Sequence, residues 1–134
     1  MSSAWVLDAS ALLAYLRDEA GASYTAEAIA MGAAISAANW AEVLSKVAEE
    51  GEDPETVAQH LETEGIIGGS LQVFSLTEMD ARVMGRLRPL TRAAGLSLGD
   101  RACIALGIRL GYEVLTADRT WAGLDLGIQV RLIR

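Results

Sequence analysis

Residues 96–121, LSLGDRACIALGIRLGYEVLTADRTW, decide the fold. They read as a helix followed by a strand, with one acid opening the helix (Asp100) and another closing the strand (Asp118). Ser97 is suited to be the N-cap, while Leu98, Cys103, Ile104, Leu106, Ile108 and Leu110 supply a broad apolar surface. Gly111 is placed to stop the helix, and Glu113 to Thr116 then reads as a short strand. A helix that returns to a strand is half of a βαβ unit, whose functional residues stand at the carboxyl ends of parallel strands. Asp118 falls there.

Working outward, the same grammar recurs. Val6 and Leu7 form a short apolar strand leading from Trp5 into Asp8, and Ser10, Leu12, Leu13 and Leu16 mark a helix that fades near Gly21. A second helix covers Ser23 to Met31, and Ala33 to Ala37 is a weak strand of small residues. Asn39 with Glu42 three residues on is a capping-box pattern, opening a helix through Val43, Leu44 and Val47 to Gly51. Asp53 followed by Pro54 opens the next helix, which Gly65 stops. Leu71 to Leu76 is a third strand, and Thr77 with Asp80 begins a helix that breaks at Pro89. After the central stretch, Ile128 to Ile133 is a final edge strand. Strands alternating with helices at this spacing predict a mainly parallel sheet covered on both faces, a three-layer α/β/α domain. With 134 residues and no linker-like segment, residues 1–134 are expected to share a single core.

Composition narrows the class. The chain is 51% hydrophobic and 22% charged, as a folded globular domain is. It carries neither a leader-like start nor an apolar run near the ~18 residues a membrane span requires, so a cytoplasmic protein without membrane contact is expected. The lone cysteine, Cys103, excludes an internal disulfide and reads as a small core residue. The net charge of −7 is unevenly placed. Residues 1–80 hold 14 acids against Arg17 and Lys46, whereas residues 81–134 hold 4 acids against 9 arginines. Arg82, Arg86, Arg88 and Arg92 are the densest basic group, suited either to tracking a phosphate backbone or to forming a solvated helix face.

The acids bear most directly on function. In a parallel α/β sheet, Asp8 and Asp118 close strands, and Glu42 and Asp100 lie in the first turns of helices; a helix that directly follows a parallel strand starts at the same edge of the sheet, which holds for Glu42, whose helix follows the second strand. Converging carboxylates repel unless protonated or neutralised by a cation. Oxygen-only donors select hard ions such as Mg²⁺ or Mn²⁺, which suit hydrolysis of a phosphodiester by activated water. The ordinary reading of the same residues stands beside this one: each acid can serve as a cap or a helix-dipole partner, worth about 0.3–1 kcal/mol.

Four segments carry a resemblance. VLDASALLA (6–14), NWAEVLSK (39–46), LSLGDRACIALG (96–107) and VLTADRTW (114–121) resemble the signature regions of PIN-domain ribonucleases, most of all VapC-type toxins of bacterial toxin–antitoxin pairs. The likeness runs over essentially the whole chain, in order. It implies a metal-dependent endoribonuclease that cuts RNA, with Asp8, Glu42, Asp100 and Asp118 around Mg²⁺ or Mn²⁺. It also implies that Ser10 and Thr116 orient a ligand carboxylate or water, and that the protein is a homodimer bound by an antitoxin; Arg119, beside Asp118, is placed to reach a phosphate. The ordinary readings are a helix-start serine, a strand threonine and, for Trp121, packing under the sheet edge in place of stacking on a base. His60, alone on an acidic helix, has no assigned role. A PIN-like protein-binding module without catalysis and a housekeeping PIN nuclease are the competing functions.

Overall fold

The structure, a computed structural model, describes residues 4–134. In chain order its elements are β1 (Trp5–Leu7), α1 (Ala9–Leu16), α2 (Ala22–Met31), β2 (Ala33–Ser36), α3 (Ala37–Glu49), α4 (Pro54–Thr63), β3 (Leu71–Phe74), α5 (Glu78–Thr91), α6 (Leu98–Leu110), β4 (Glu113–Thr116), a 3-10 turn (Arg119–Trp121) and β5 (Val130–Leu132). The sheet has the order β3-β2-β1-β4-β5, and every neighbouring pair is parallel.

Alternation along the strands sorts the core into two layers. Leu7, Ile35, Leu71 and Leu115 face one way, onto Ala11 and Leu12 of α1, Ala28 and Ile29 of α2 and Val43 of α3. Val6, Ala34 and Val114 face the other way, onto Leu87 of α5 and Cys103, Ile104 and Leu106 of α6. This is the expected three-layer α/β/α arrangement. Because the chain moves from β1 outward to β2 and β3 and then crosses back to β4, the topological switch lies between β1 and β4. Among the described residues no helix is long and apolar enough to cross a membrane.

Local signals mostly hold. Ser97 and Asp100 form a reciprocal capping box, as do Thr77 and Asp80, and Gly111 closes α6 in the left-handed region at φ 69°. Three expectations are corrected. The N-cap of α3 is Ser36, whose hydroxyl accepts from the Ala38 amide at 3.2 Å, so Asn39 lies inside the helix and is buried. β2 passes into α3 without a loop, and the first capping side chain available is therefore the serine. Pro89 does not end α5, which continues to Thr91. The carbonyl left without a partner by the missing proline N–H is that of exposed Gly85, where water can satisfy it. The strands β3 and β5 are also shorter than their apolar runs, ending at Phe74 and beginning at Val130 respectively.

Candidate metal centre

Asp8, Glu42, Asp100 and Asp118 line one cleft of about 200 Å³, together with Ser10, Leu13 and Lys46. The topology accounts for the convergence. β1 and β4 are neighbours, so Asp8, which follows β1, and Asp118, two residues beyond β4, emerge at the same end of the pair, and α3 starts directly at the end of β2. The fourth acid arrives with α6, whose first turn packs beside α3.

Asp8 is 3% exposed and saturated with donors. Its Oδ1 accepts from the Ala11 amide at 2.8 Å and from the Ser10 hydroxyl at 2.7 Å, while Oδ2 accepts from the Thr116 hydroxyl at 2.5 Å. It is thus the N-cap of α1 and a wall of the cleft at once. Burial pushes its pKa up from 3.8 to about 6, against the lowering effect of the three donors, and the Asp100 charge adds to the rise. Ser10 and Thr116 knit the two strand ends together. The Ser10 hydroxyl accepts from the Ala117 amide at 2.9 Å, and the Thr116 hydroxyl accepts from the Asp118 amide at 3.0 Å. Each hydroxyl therefore places Asp8 relative to the β4 end.

The other three acids share a pattern in which one oxygen is anchored and the second takes no hydrogen bond from the described residues. Glu42 Oε1 accepts from the Asn39 side-chain amide at 2.9 Å. Asp100 Oδ2 accepts from the Ser97 amide at 2.9 Å, and Asp118 Oδ1 accepts from the amide and hydroxyl of Thr120 at 3.0 and 2.8 Å. Glu42 is also shifted upward, chiefly by burial, with a further push from Asp100 and opposing effects of Asn39 and Lys46. The donor set fits a hard divalent ion in kind, since it offers only oxygens, three of them uncommitted. Among the described residues no three acidic, histidine or cysteine side chains form a ready-made metal-binding group. An ion would have to draw the carboxylates inward.

Two participants escaped the sequence reading. Lys46, one turn beyond Glu42, contributes the cleft's lysine and, among the described residues, is ion-paired only through a 3.6 Å contact to Glu49. Gly99 leaves room for Glu42: a Cβ there would lie 2.1 Å from Glu42 Oε1. The (i, i+4) spacing of Glu42 and Lys46 was a usable signal for the first; no local signal exists for the second.

The remaining candidates are distributed as follows. Arg119 is exposed, next to Asp118 at the start of the 3-10 turn. Arg82, Arg86, Arg88 and Arg92 are all exposed, but helical spacing puts Arg82 and Arg86 on one flank of α5 and Arg88 and Arg92 on the other. Arg82 is paired with Glu78 at 2.8 Å, whereas Arg88 and Arg92 stand at the end of α5 that leads into α6 and Asp100. Trp121 is fully buried and packs under the sheet, so it has no face to offer a base. Burial likewise pushes the Cys103 thiol up, as suits an inert core residue. His60 is exposed and meets Glu64 at 3.2 Å.

A parallel three-layer domain with four carboxylates at its switch point defines the class, and residues 5–125 match the PIN domain family. The chain belongs to that family. Solved structures share the architecture along its length. A chain of a toxin–antitoxin complex from Klebsiella pneumoniae superposes with a TM-score of 0.71 at 18% identity, covering 96% of this chain and 97% of that one. A chain of DNA-bound VapBC from Salmonella typhimurium gives 0.71 at 18% identity, covering 98% and 99%. VapBC-5 from Mycobacterium tuberculosis gives 0.58 at 24% identity, covering 98% of both. Comparison with curated protein sequences finds no match.

Proposed function

We propose that this chain, as a single PIN-like nuclease domain, is a metal-dependent endoribonuclease. It hydrolyses RNA phosphodiesters with Mg²⁺ or Mn²⁺ and acts in the cytoplasm as the toxin of a toxin–antitoxin pair. The observation that carries the reading is the gathering of Asp8, Glu42, Asp100 and Asp118 in one cleft at the carboxyl ends of β1 and β4. A divalent ion bound there would polarise the phosphodiester and ease deprotonation of a water. The oxygens to hold it are Glu42 Oε2, Asp100 Oδ1, Asp118 Oδ2 and the Asp8 carboxylate. Ser10 and Thr116 keep Asp8 aimed, while Lys46 in the cleft and exposed Arg119, next to Asp118 in the chain, supply positive charge for the phosphate.

Membership of the PIN family supports the nuclease, and likeness to chains from toxin–antitoxin complexes supports the toxin. The acidic first 80 residues suit a basic antitoxin segment laid over the carboxylates. Exposed Met79 and Ile108, flanking an apolar cleft of about 230 Å³ between α5 and α6, support the homodimer. Purified protein, freed of partner, should cleave RNA when Mg²⁺ or Mn²⁺ is added and stop when the ion is chelated. Co-expression with the product of the adjacent gene should yield a stable, inactive complex. RNA left intact by the free protein at every metal concentration would overturn the enzyme reading, and a fully active complex would overturn the toxin reading.

A further inference from the structure

We propose that Asn39 is a positioning residue for Glu42, and that Asn39 and Gly99 together form the seat that fixes this carboxylate beside Asp100. The inference rests on the metal-site reading above and assigns roles to two residues that carry no charge. Asn39 lies on the inner face of α3, 1% exposed, three residues before Glu42. Its Nδ2 donates to Glu42 Oε1 at 2.9 Å and to the Gly99 carbonyl at 2.9 Å. Gly99 is the residue before Asp100. A single amide therefore ties the side chain of one acid to the backbone that carries another, across two helices whose only covalent link is the long path through the sheet.

Two further observations point the same way. A Cβ at Gly99 would stand 2.1 Å from Glu42 Oε1 and 2.8 Å from Cδ, so the missing side chain is the slot in which the carboxylate lies. Asn39 Oδ1 is buried and has no hydrogen-bond partner among the described residues. Both donors of the amide meet acceptors while its own oxygen is left bare, which a residue present only to fill the core would not do, because an apolar side chain would occupy the place without that penalty. Serine in its place would be too short to span both acceptors, and aspartate would turn a donor into another negative charge. With Oε1 held in this way, Oε2 is the oxygen left for a ligand.

Mn²⁺ binding to the full chain without RNA, followed by electron paramagnetic resonance, tests the seat. Asn39→Ala and the isosteric Asn39→Asp should each weaken Mn²⁺ by about tenfold or more, the size of effect expected when a ligand loses its orienting partner. Gly99→Ala should do the same by displacing Glu42. In a Glu42→Gln background, Asn39→Ala should cause no further loss, because its effect passes through that carboxylate. Circular dichroism checks each fold, and the isosteric and glycine variants keep the test open if the alanine variant does not fold. Unchanged Mn²⁺ affinity in the folded variants, or an equal loss in the Glu42→Gln background, would overturn the inference alone. Failure of the unmodified protein to bind Mn²⁺ would overturn the metal reading and the seat with it.

Discussion

Asp8→Asn should stabilise the protein, and the gain should depend on pH in a calculable way. In the unfolded chain Asp8 ionises near its ordinary 3.8, and in the folded protein near 6, because it is buried. A carboxyl whose folded pKa is raised favours the fold when protonated. Below 3.8 both states hold the proton and no penalty arises; between 3.8 and 6 the unfolded chain ionises first, so stability falls as pH rises; above 6 the whole penalty remains. At about 1.4 kcal/mol per pH unit, the full penalty is roughly 3 kcal/mol, of which about 1 is already present at pH 4.5. Asparagine never ionises, and the Thr116 and Ser10 hydroxyls can turn to meet its amide. The advantage of the variant over wild type should therefore grow by about 2 kcal/mol between pH 4.5 and 7.5. Urea unfolding in the presence of a chelator measures it. Added Mg²⁺ should then favour wild type, by about 2.7 kcal/mol when the ion is at 100 times its Kd. An advantage that is flat with pH, or a variant less stable than wild type at pH 7.5, would refute the reasoning.

If α5 guides the RNA backbone toward the acids, Arg88→Gln with Arg92→Gln in an Asp8→Asn background should lower the salt slope of RNA affinity by about 0.7 for each phosphate no longer neutralised, and Arg82→Gln with Arg86→Gln should not. Binding measured across a salt series decides, and equal effects from both pairs would remove the directional reading. Ser97→Ala should cost about 0.5–2 kcal/mol in urea unfolding, because the Asp100 amide loses its cap at 3.1 Å. A change within error would mean that the capping box contributes nothing to α6.

The features legible in the sequence were those whose causes lie within a few residues. Ser97 and Asp100, Thr77 and Asp80, and Asp53 before Pro54 each satisfy helix-end amides locally, and all are found. The short apolar run of Val6 and Leu7 likewise placed Asp8 at a strand end. Asn39 misled because its spacing to Glu42 mimics a capping box, whereas its amide is used on Gly99, sixty residues away in the chain. No local rule contains that distance. The arginines of α5 were legible as exposed, but their division between two flanks follows from which side Met84, Leu87 and Thr91 bury.

The strand order carries a consequence for how the molecule breathes. β1 has a strand on either side, as does β4, while β3 and β5 form the rims and span only four and three residues. Amide exchange through partial opening should begin at the rims, where one row of backbone groups has no strand beside it, and reach the central pair only when the whole domain comes apart. Asp8 and Asp118 stand at the ends of that pair. These two carboxylates should therefore stand on slowly exchanging strands, and fraying confined to the β3 margin should leave their spacing untouched.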